Sequence, residues 1–350
     1  MEKYIISFFV AAVISMFMTP ISKKIAIKVG AIDIPKDERR IHKKPIPLLG
    51  GLAIYTATMI SILIFLPMNK SLLSIIIGGT IIFISGIIDD KKNLSAKTKL
   101  IFQLLAAVVL ILGDVKIDFI TNPFSRTSTL LYLKGFSIPL TIFWVVGITN
   151  TLNLIDGLDG LAAGVAMIAS LSLLIVANRF GFIEITIISA ILAGSCLGFL
   201  PYNFNPAKIF MGDTGALFLG FMLSVVAIEG VMKSVATIAI VVPIIILGLP
   251  IFDTTFAIFR RLLNGRPIME ADKGHLHHRL LQRGLTQRQT VLILYLISAV
   301  FGFAAVIIAK INSRQGIIIS GTIIILTILL ARRMGLIDKS KNSSVDDKKR

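Results

Sequence analysis

The chain has 350 residues, 55% of them hydrophobic, and a mean hydropathy of +0.88; soluble folds carry roughly 45 to 50% apolar residues, so an ordinary soluble domain is excluded. With 36 Lys and Arg against 19 Asp and Glu the net charge is +17, and most of that charge falls in a few loops, which favours anionic lipid head groups over nucleic acid as its counterpart. The single Cys196 lies inside an apolar run and excludes a disulfide framework or a thiol-based metal site.

Apolar runs long enough to cross a ~30 Å hydrocarbon core as helix recur along the chain. The predicted spans are 4–20, 50–68, 71–88, 100–113, 138–149, 160–178, 183–200, 214–230, 235–253, 291–309 and 315–331. The first opens like a signal peptide, but Met18, Thr19 and Pro20 offer no small-residue cleavage pattern, so it is read as a span. Lys and Arg concentrate in cytoplasmic loops. Of the 36 basic residues, 27 fall in 21–49, 89–99, 150–159, 201–213, 254–290 and the tail from Arg332. The expectation is an all-α integral membrane protein of ten or eleven transmembrane helices, with the N-terminus outside and the C-terminus cytoplasmic. One polytopic domain covers 1–335, with those loops on its cytoplasmic side, and a disordered polar tail covers 336–350.

Taken in chain order, loop 21–49 places Arg39, Arg40, His42, Lys43 and Lys44 before PIPLLGG, either as a topogenic basic segment or as cations for a phosphate. Asp89 and Asp90 follow the third span in IDDKKN, although acids at a helix C-terminus are disfavoured by about 0.3 to 1 kcal/mol. Lys91 and Lys92 can compensate them at a solvated boundary, or a metal ion or proton-transfer role can explain them. In TNTLNLIDGLDGLAAG, Asn150, Asn153, Asp156 and Asp159 recur every three residues in a loop without Lys or Arg. A straight helix would turn Asn150 and Asp159 to opposite sides, so a break at Gly157 and Gly160 is expected. Uncompensated carboxylates with amides suit a hard cation.

NPAKIFMGDTGALFLG places Asp213 and Thr214 at the start of the eighth span. Asp213 is either an N-cap or a Mg²⁺ ligand beside a helix start that receives phosphate. In ADKGHLHHRLLQRG three of the four histidines fall at His275, His277 and His278, beside Arg279 and Arg283, with His275 and His278 on one helical face. Zinc wants four ligands or three plus water, and no thiol stands near, so phosphate or nucleotide contacts fit better. A secondary transporter would need acids at mid-membrane, whereas the span interiors are almost free of ionisable residues. A scaffold would need none of these four clusters.

Together the clusters resemble the polyprenyl-phosphate N-acetylhexosamine-1-phosphate transferase family, glycosyltransferase family 4. Its motifs read here as Asp89, Asp90 and Asn93; Asn150, Asn153, Asp156 and Asp159; Phe210 to Asp213; and HLHHRL from His275, a match running from Ile34 to about Leu281. The HxHH form followed by Arg-Leu, and Asp253 followed by Arg260 and Arg261, are similar to the branch using UDP-GlcNAc rather than the phospho-MurNAc-pentapeptide branch. Leu48 departs from the PRLGG of many relatives, leaving Lys44 or His42 to supply that cation.

The resemblance implies attack of undecaprenyl phosphate on UDP-GlcNAc at the cytoplasmic face of a bacterial cell membrane, with Mg²⁺, or Mn²⁺ in its place, as cofactor. Asp213 and Asp156 would hold the metal, and Asp89, Asp90, Asp156 and Asp159 would carry the catalysis. Asn150, Asn153, Phe210, His275, His277, His278 and Arg279 would bind the nucleotide sugar. Lys44, His42 and Asn93 would bind the lipid phosphate. The implied partners are the two substrates and membrane lipids, with a homodimer left open and no nucleic acid.

Overall fold

A computed structural model describes residues 2–35, 45–121, 130–233, 240–265, 267, 274–311 and 313–333. His42, Lys44 and the expected tail 336–350 lie outside these residues. Helix α1 (Glu2–Val29) carries Pro20 within it and runs past the predicted end of the first span. Strand β1 (Ile32–Asp33) then pairs antiparallel with β2 (Ile46–Pro47). Helices α2 (Gly51–Phe65), α3 (Lys70–Lys92) and α4 (Ala96–Leu112) follow. A second hairpin pairs β3 (Phe119–Thr121) with β4 (Leu130–Tyr132), and a 3-10 turn leads into α5 (Ser137–Ile155). Next come α6 (Leu161–Arg179), α7 (Ile183–Asn203) and α8 (Gly212–Ala227), the last ending in a π-helical turn over Ile228–Met232. The remainder is α9 (Val241–Ile246), α10 (Gly248–Leu263), α11 (Leu276–Gln282), α12 (Gln287–Ile308) and α13 (Ser313–Arg333).

Local sequence explains several starts. Asn69 accepts from the Leu72 N–H, Ser95 from Thr98, and Thr286 with Gln289 forms a capping box, each satisfying a donor that the first turn leaves without a helical partner.

The protein is an all-α, multi-pass membrane protein with two small hairpins. Among the described residues eight helices are long and apolar enough to cross a bilayer, and α2 is apolar but shorter. Three of the eleven expected spans are not among these eight. α2 has 15 residues and α4 has 17, both under the roughly 20 that a perpendicular crossing needs. The expected span 235–253 is broken at Leu247 between α9 and α10. Pro250 has no N–H to bond the Ile246 carbonyl, yet is tolerated in the first turn of α10.

Helix α8 is the centre of the core. It is buried from Thr214 to Ala227, with Phe218 and Phe221 fully enclosed, and packs on α3 and α5, while α1 packs on α7. Glycines set its approach: a methyl at Gly51 would strike the Gly215 backbone, and one at Gly86 the Thr214 backbone. Conversely Leu292, Leu296, Val300 and Phe303 form an exposed stripe along α12, as Phe9 and Phe17 do on α1. Apolar exposure on this scale marks a lipid-facing surface.

Substituting Gly86→Val should force α3 from α8. The detergent-purified variant should unfold several degrees below wild type, overpacking costing about 1 to 3 kcal/mol. An unchanged melting midpoint would show that this contact is not tight.

Candidate active site

The C-terminal ends of α3, α5 and α7 and the start of α8 surround a cavity of about 1160 Å³. Its wall includes Asp89, Asp90, Asn93, Asn153, Asp156, Asp159, Phe210, Asp213 and His278, so residues far apart in sequence meet.

The start of α8 is set by Asp90. One of its carboxylate oxygens accepts from the Asp213 N–H at 2.8 Å; the other accepts from the Thr214 N–H at 3.1 Å and the Thr214 hydroxyl at 2.5 Å. Free N–H groups and the positive end of the helix dipole both favour an acid there. Gly212, at φ 71°, lies so close to Asp90 that a side chain would strike its carboxylate.

Asp89 is buried and faces a different partner. It accepts from the Leu94 N–H at 2.5 Å and from Lys99 Nζ at 2.5 Å, and the same ammonium lies 2.5 Å from Asp213. Lys99, in the first turn of α4, therefore bridges the two acids, and the Asn153 amide also reaches Asp213.

Helix α5 continues to Ile155, so Asn150 and Asn153 are helical and the break falls over Asp156–Gly160. Asp156 caps α5. Burial, then the negative charges of Asp213, Asp90 and Asp159, push its carboxyl up to about 8. Asp159 accepts from the Asn205 amide and the Ala207 N–H, both at 3.0 Å. Asn205 also donates to Gln287, and Asn203 accepts from the Gly160 N–H while donating to the Ile209 carbonyl. These amides fasten the loop that carries Phe210, whose backbone is held between Pro47 and Gly50.

The histidines divide. His278 reaches the cavity. His277 is buried, its ring so near Gly157 that any side chain there would collide with it. Burial, then His278, push its imidazole down to about 3, so it is neutral at ordinary pH. His275 precedes α11 in extended backbone, so it does not share a helical face with His278. Its Nδ1 lies 2.8 Å from Asp253. Arg279 donates to the Gly274 carbonyl at 3.2 Å.

Of the other expected residues, Asn93 caps α3 in left-handed backbone and lines the cavity. Asn150 does not line it: it exchanges two hydrogen bonds with Gln103 of α4, at 2.7 and 3.1 Å. Sequence reading missed Lys99, Asn203, Asn205 and Gln287. Lys99 had no distinguishing mark beside Lys91, Lys92 and Lys97, whereas the run of amides in PYNFNPAK was a usable signal.

Among the described residues no three of His, Cys, Asp and Glu are grouped as a metal-ligand set. The donor chemistry nevertheless fits a hard cation. Asp89 and Asp213 already close on one positive charge, with Asn153 beside them, and Mg²⁺ is held by one or two carboxylates when substrate phosphates complete its shell.

The sequence family that matches this chain, over residues 72–231, is glycosyl transferase family 4. A probable undecaprenyl-phosphate N-acetylglucosaminyl 1-phosphate transferase of Bacillus subtilis is 43% identical over 340 residues, covering 97% of this chain and 94% of its own. A decaprenyl-phosphate N-acetylglucosaminephosphotransferase of Mycolicibacterium smegmatis is 34% identical, over 91% of this chain and 86% of its own. A phospho-N-acetylmuramoyl-pentapeptide-transferase of Caldanaerobacter subterraneus is 32% identical, over 86% and 96%. Identity at these levels along nearly the full length of both chains means that this protein belongs to glycosyl transferase family 4.

Proposed function

We propose that the chain transfers GlcNAc-1-phosphate from UDP-GlcNAc to undecaprenyl phosphate, releasing UMP and forming undecaprenyl-pyrophosphoryl-GlcNAc, the first membrane step of a cell-surface polysaccharide pathway. The observation that carries this reading is the meeting of Asp89, Asp156 and Asp213 around a cavity shared with Phe210 and His278, with Lys99 bridging Asp89 and Asp213. The name of the relative at 43% identity supports the choice of sugar and lipid.

In the reaction an oxygen of the lipid phosphate forms a bond to the β-phosphorus, and the bond from that phosphorus to the oxygen shared with the α-phosphate breaks, so UMP leaves with the electron pair. Such transfers depend on positioning and charge neutralisation more than on covalent help from protein. Asp89, fixed by Lys99 and the Leu94 N–H, orients the attacking phosphate and accepts its proton when it carries one. Phe210 offers a face to the uracil, and His278 with Arg279 meets the diphosphate. Asn93 serves the lipid phosphate, the role that the sequence also suggests for His42 and Lys44. Asp213 and Asp156 would hold Mg²⁺, or Mn²⁺, which when bound neutralises charge on the diphosphate and the leaving group. Asp90 and Asp159, whose oxygens serve backbone and amide donors, act as supports. The concentration of Lys and Arg in the loops around the cavity supports a cytoplasmic site in a bacterial cell membrane, with the N-terminus outside.

Purified protein given UDP-GlcNAc and undecaprenyl phosphate should release UMP only with Mg²⁺ or Mn²⁺. Asp213→Ala should lower the rate by about a hundredfold or more, the scale on which losing one pre-organised electrostatic group acts. Release from UDP-MurNAc-pentapeptide alone would transfer the assignment to the reaction named for the Caldanaerobacter relative.

Asp156 predicts a pH effect. Its carboxyl, ordinarily at 3.8, lies at about 8 in the folded chain. The folded state thus keeps a proton that the unfolded state releases, and stability falls as pH rises through that interval before levelling. With chelator present, Asp156→Asn should gain on wild type in melting temperature from pH 5 to about 8 and hold a constant margin above. Parallel curves would show that the site does not strain this carboxylate.

A further inference from the structure

Outside the cavity, the most developed cluster of buried ionisable groups lies where α10 meets the segment entering α11. Asp253, Arg260 and His275 are only 5%, 6% and 5% exposed. One Asp253 oxygen is 2.8 Å from His275 Nδ1, and the other accepts from the Leu276 N–H at 2.8 Å. Seven residues along the same helix, and so on the same face, the Arg260 guanidinium lies against Gly274 so closely that a side chain there would overlap it. Two residues of one helical face thus grip three consecutive residues, 274–276, immediately before the helix that carries His277, His278 and Arg279.

A buried carboxylate in a membrane protein is costly unless it is fully partnered, and it marks a functional element by default. Here both oxygens are used on the mount of α11. With a carboxylate as acceptor, His275 Nδ1 carries the hydrogen, so Asp253 fixes the state of this ring as well as its position, as carboxylates do for catalytic histidines generally. The histidines continue as a ladder: the rings of His275 and His277 lie nearly parallel at 5.8 Å, and those of His277 and His278 are 4.2 Å apart. His277 rests on Gly157, beside the acids, and His278 opens into the cavity. The ladder is a spacer built by ring packing: the buried Nδ1 of His277 has no hydrogen-bond partner among the described residues.

We infer that Asp253 is a positioning residue for the nucleotide half of the site: through His275 and the Leu276 N–H it fixes where α11 presents His278, and so determines affinity for a uridine nucleotide and not for the lipid. This rests on the function proposed above only for the identity of the nucleotide. Supporting residues of this kind hold a site to within about 0.5 Å of its working geometry.

UMP binding to the full-length protein in detergent, measured by titration calorimetry, needs neither lipid nor turnover. Asp253→Ala and His275→Ala should each weaken UMP affinity tenfold or more, and the double variant should be little worse than either alone. Asp253→Asn, which keeps an acceptor for the Leu276 N–H, should recover most of the affinity. In steady-state assays the KM for UDP-GlcNAc should rise in Asp253→Ala while that for undecaprenyl phosphate stays within twofold. Unchanged UMP affinity in both alanine variants, additive losses, equal rises in both KM values, or no UMP binding by the wild type would overturn the inference. Should Asp253→Ala fail to fold, the Asp253→Asn and His275→Ala results decide by the same criteria. A wild type that binds UMP but turns over no sugar nucleotide would sink the proposed reaction and leave this inference standing.

Discussion

Five of the six carboxylates that line the cavity, Asp89, Asp90, Asp156, Asp159 and Asp213, repel one another, and the way each is compensated organises the rest of the site. Asp90 faces the N–H groups that begin α8. Asp89 and Asp213 share the Lys99 ammonium. Asp159 is satisfied by an amide and a backbone N–H. Among the described residues Asp156 has none of these aids, and burial with the neighbouring negative charges raises its proton affinity. The same acids therefore sort themselves into supports, a bridged pair and one frustrated group. That last condition is the one a cation brought in with a diphosphate relieves.

Much of this was legible in the chain. The cluster at Asn150, Asn153, Asp156 and Asp159 stood out because it lacks any Lys or Arg, whereas Asp89 and Asp90 beside Lys91 and Lys92, and Asp213 at a helix start, each also had a structural reading and gained weight from the family resemblance. Asp89, Asp90, Asn93, Asn153, Asp156, Asp159, Phe210, Asp213 and His278, drawn from all four clusters, line one cavity. Spacing was a poorer guide to individual duties. Asn150 stands one helical turn from Asn153 and shares its residue type, yet it is spent on Gln103 in the α4–α5 contact. His275 lies outside α11, so helical periodicity could not place it.

Hydropathy was equally partial. It identified an all-α membrane protein, but it does not reveal where an apolar run forms a short helix or is broken into two. The interval expected as one span, 235–253, contains Pro243 and Pro250, and it is divided at Leu247. Nor can apolarity separate an interior face from a lipid-facing one. Phe218 on α8 and Phe303 on α12 are the same residue in similar local sequence, the first enclosed and the second 69% exposed.

The glycine contacts that seat α8 also govern how the site can move. Because Gly51 and Gly86 bring backbone against backbone, α2 and α3 leave the helix start no slack in which to tilt or slide. The carboxylates attached to that start, Asp90 through its N–H groups and Asp213 within its first turn, are consequently held by a backbone that cannot shift without displacing α2 and α3. A substrate drawn into the cavity therefore meets acids whose spacing is set by helix packing in the membrane core, as work is brought to an anvil.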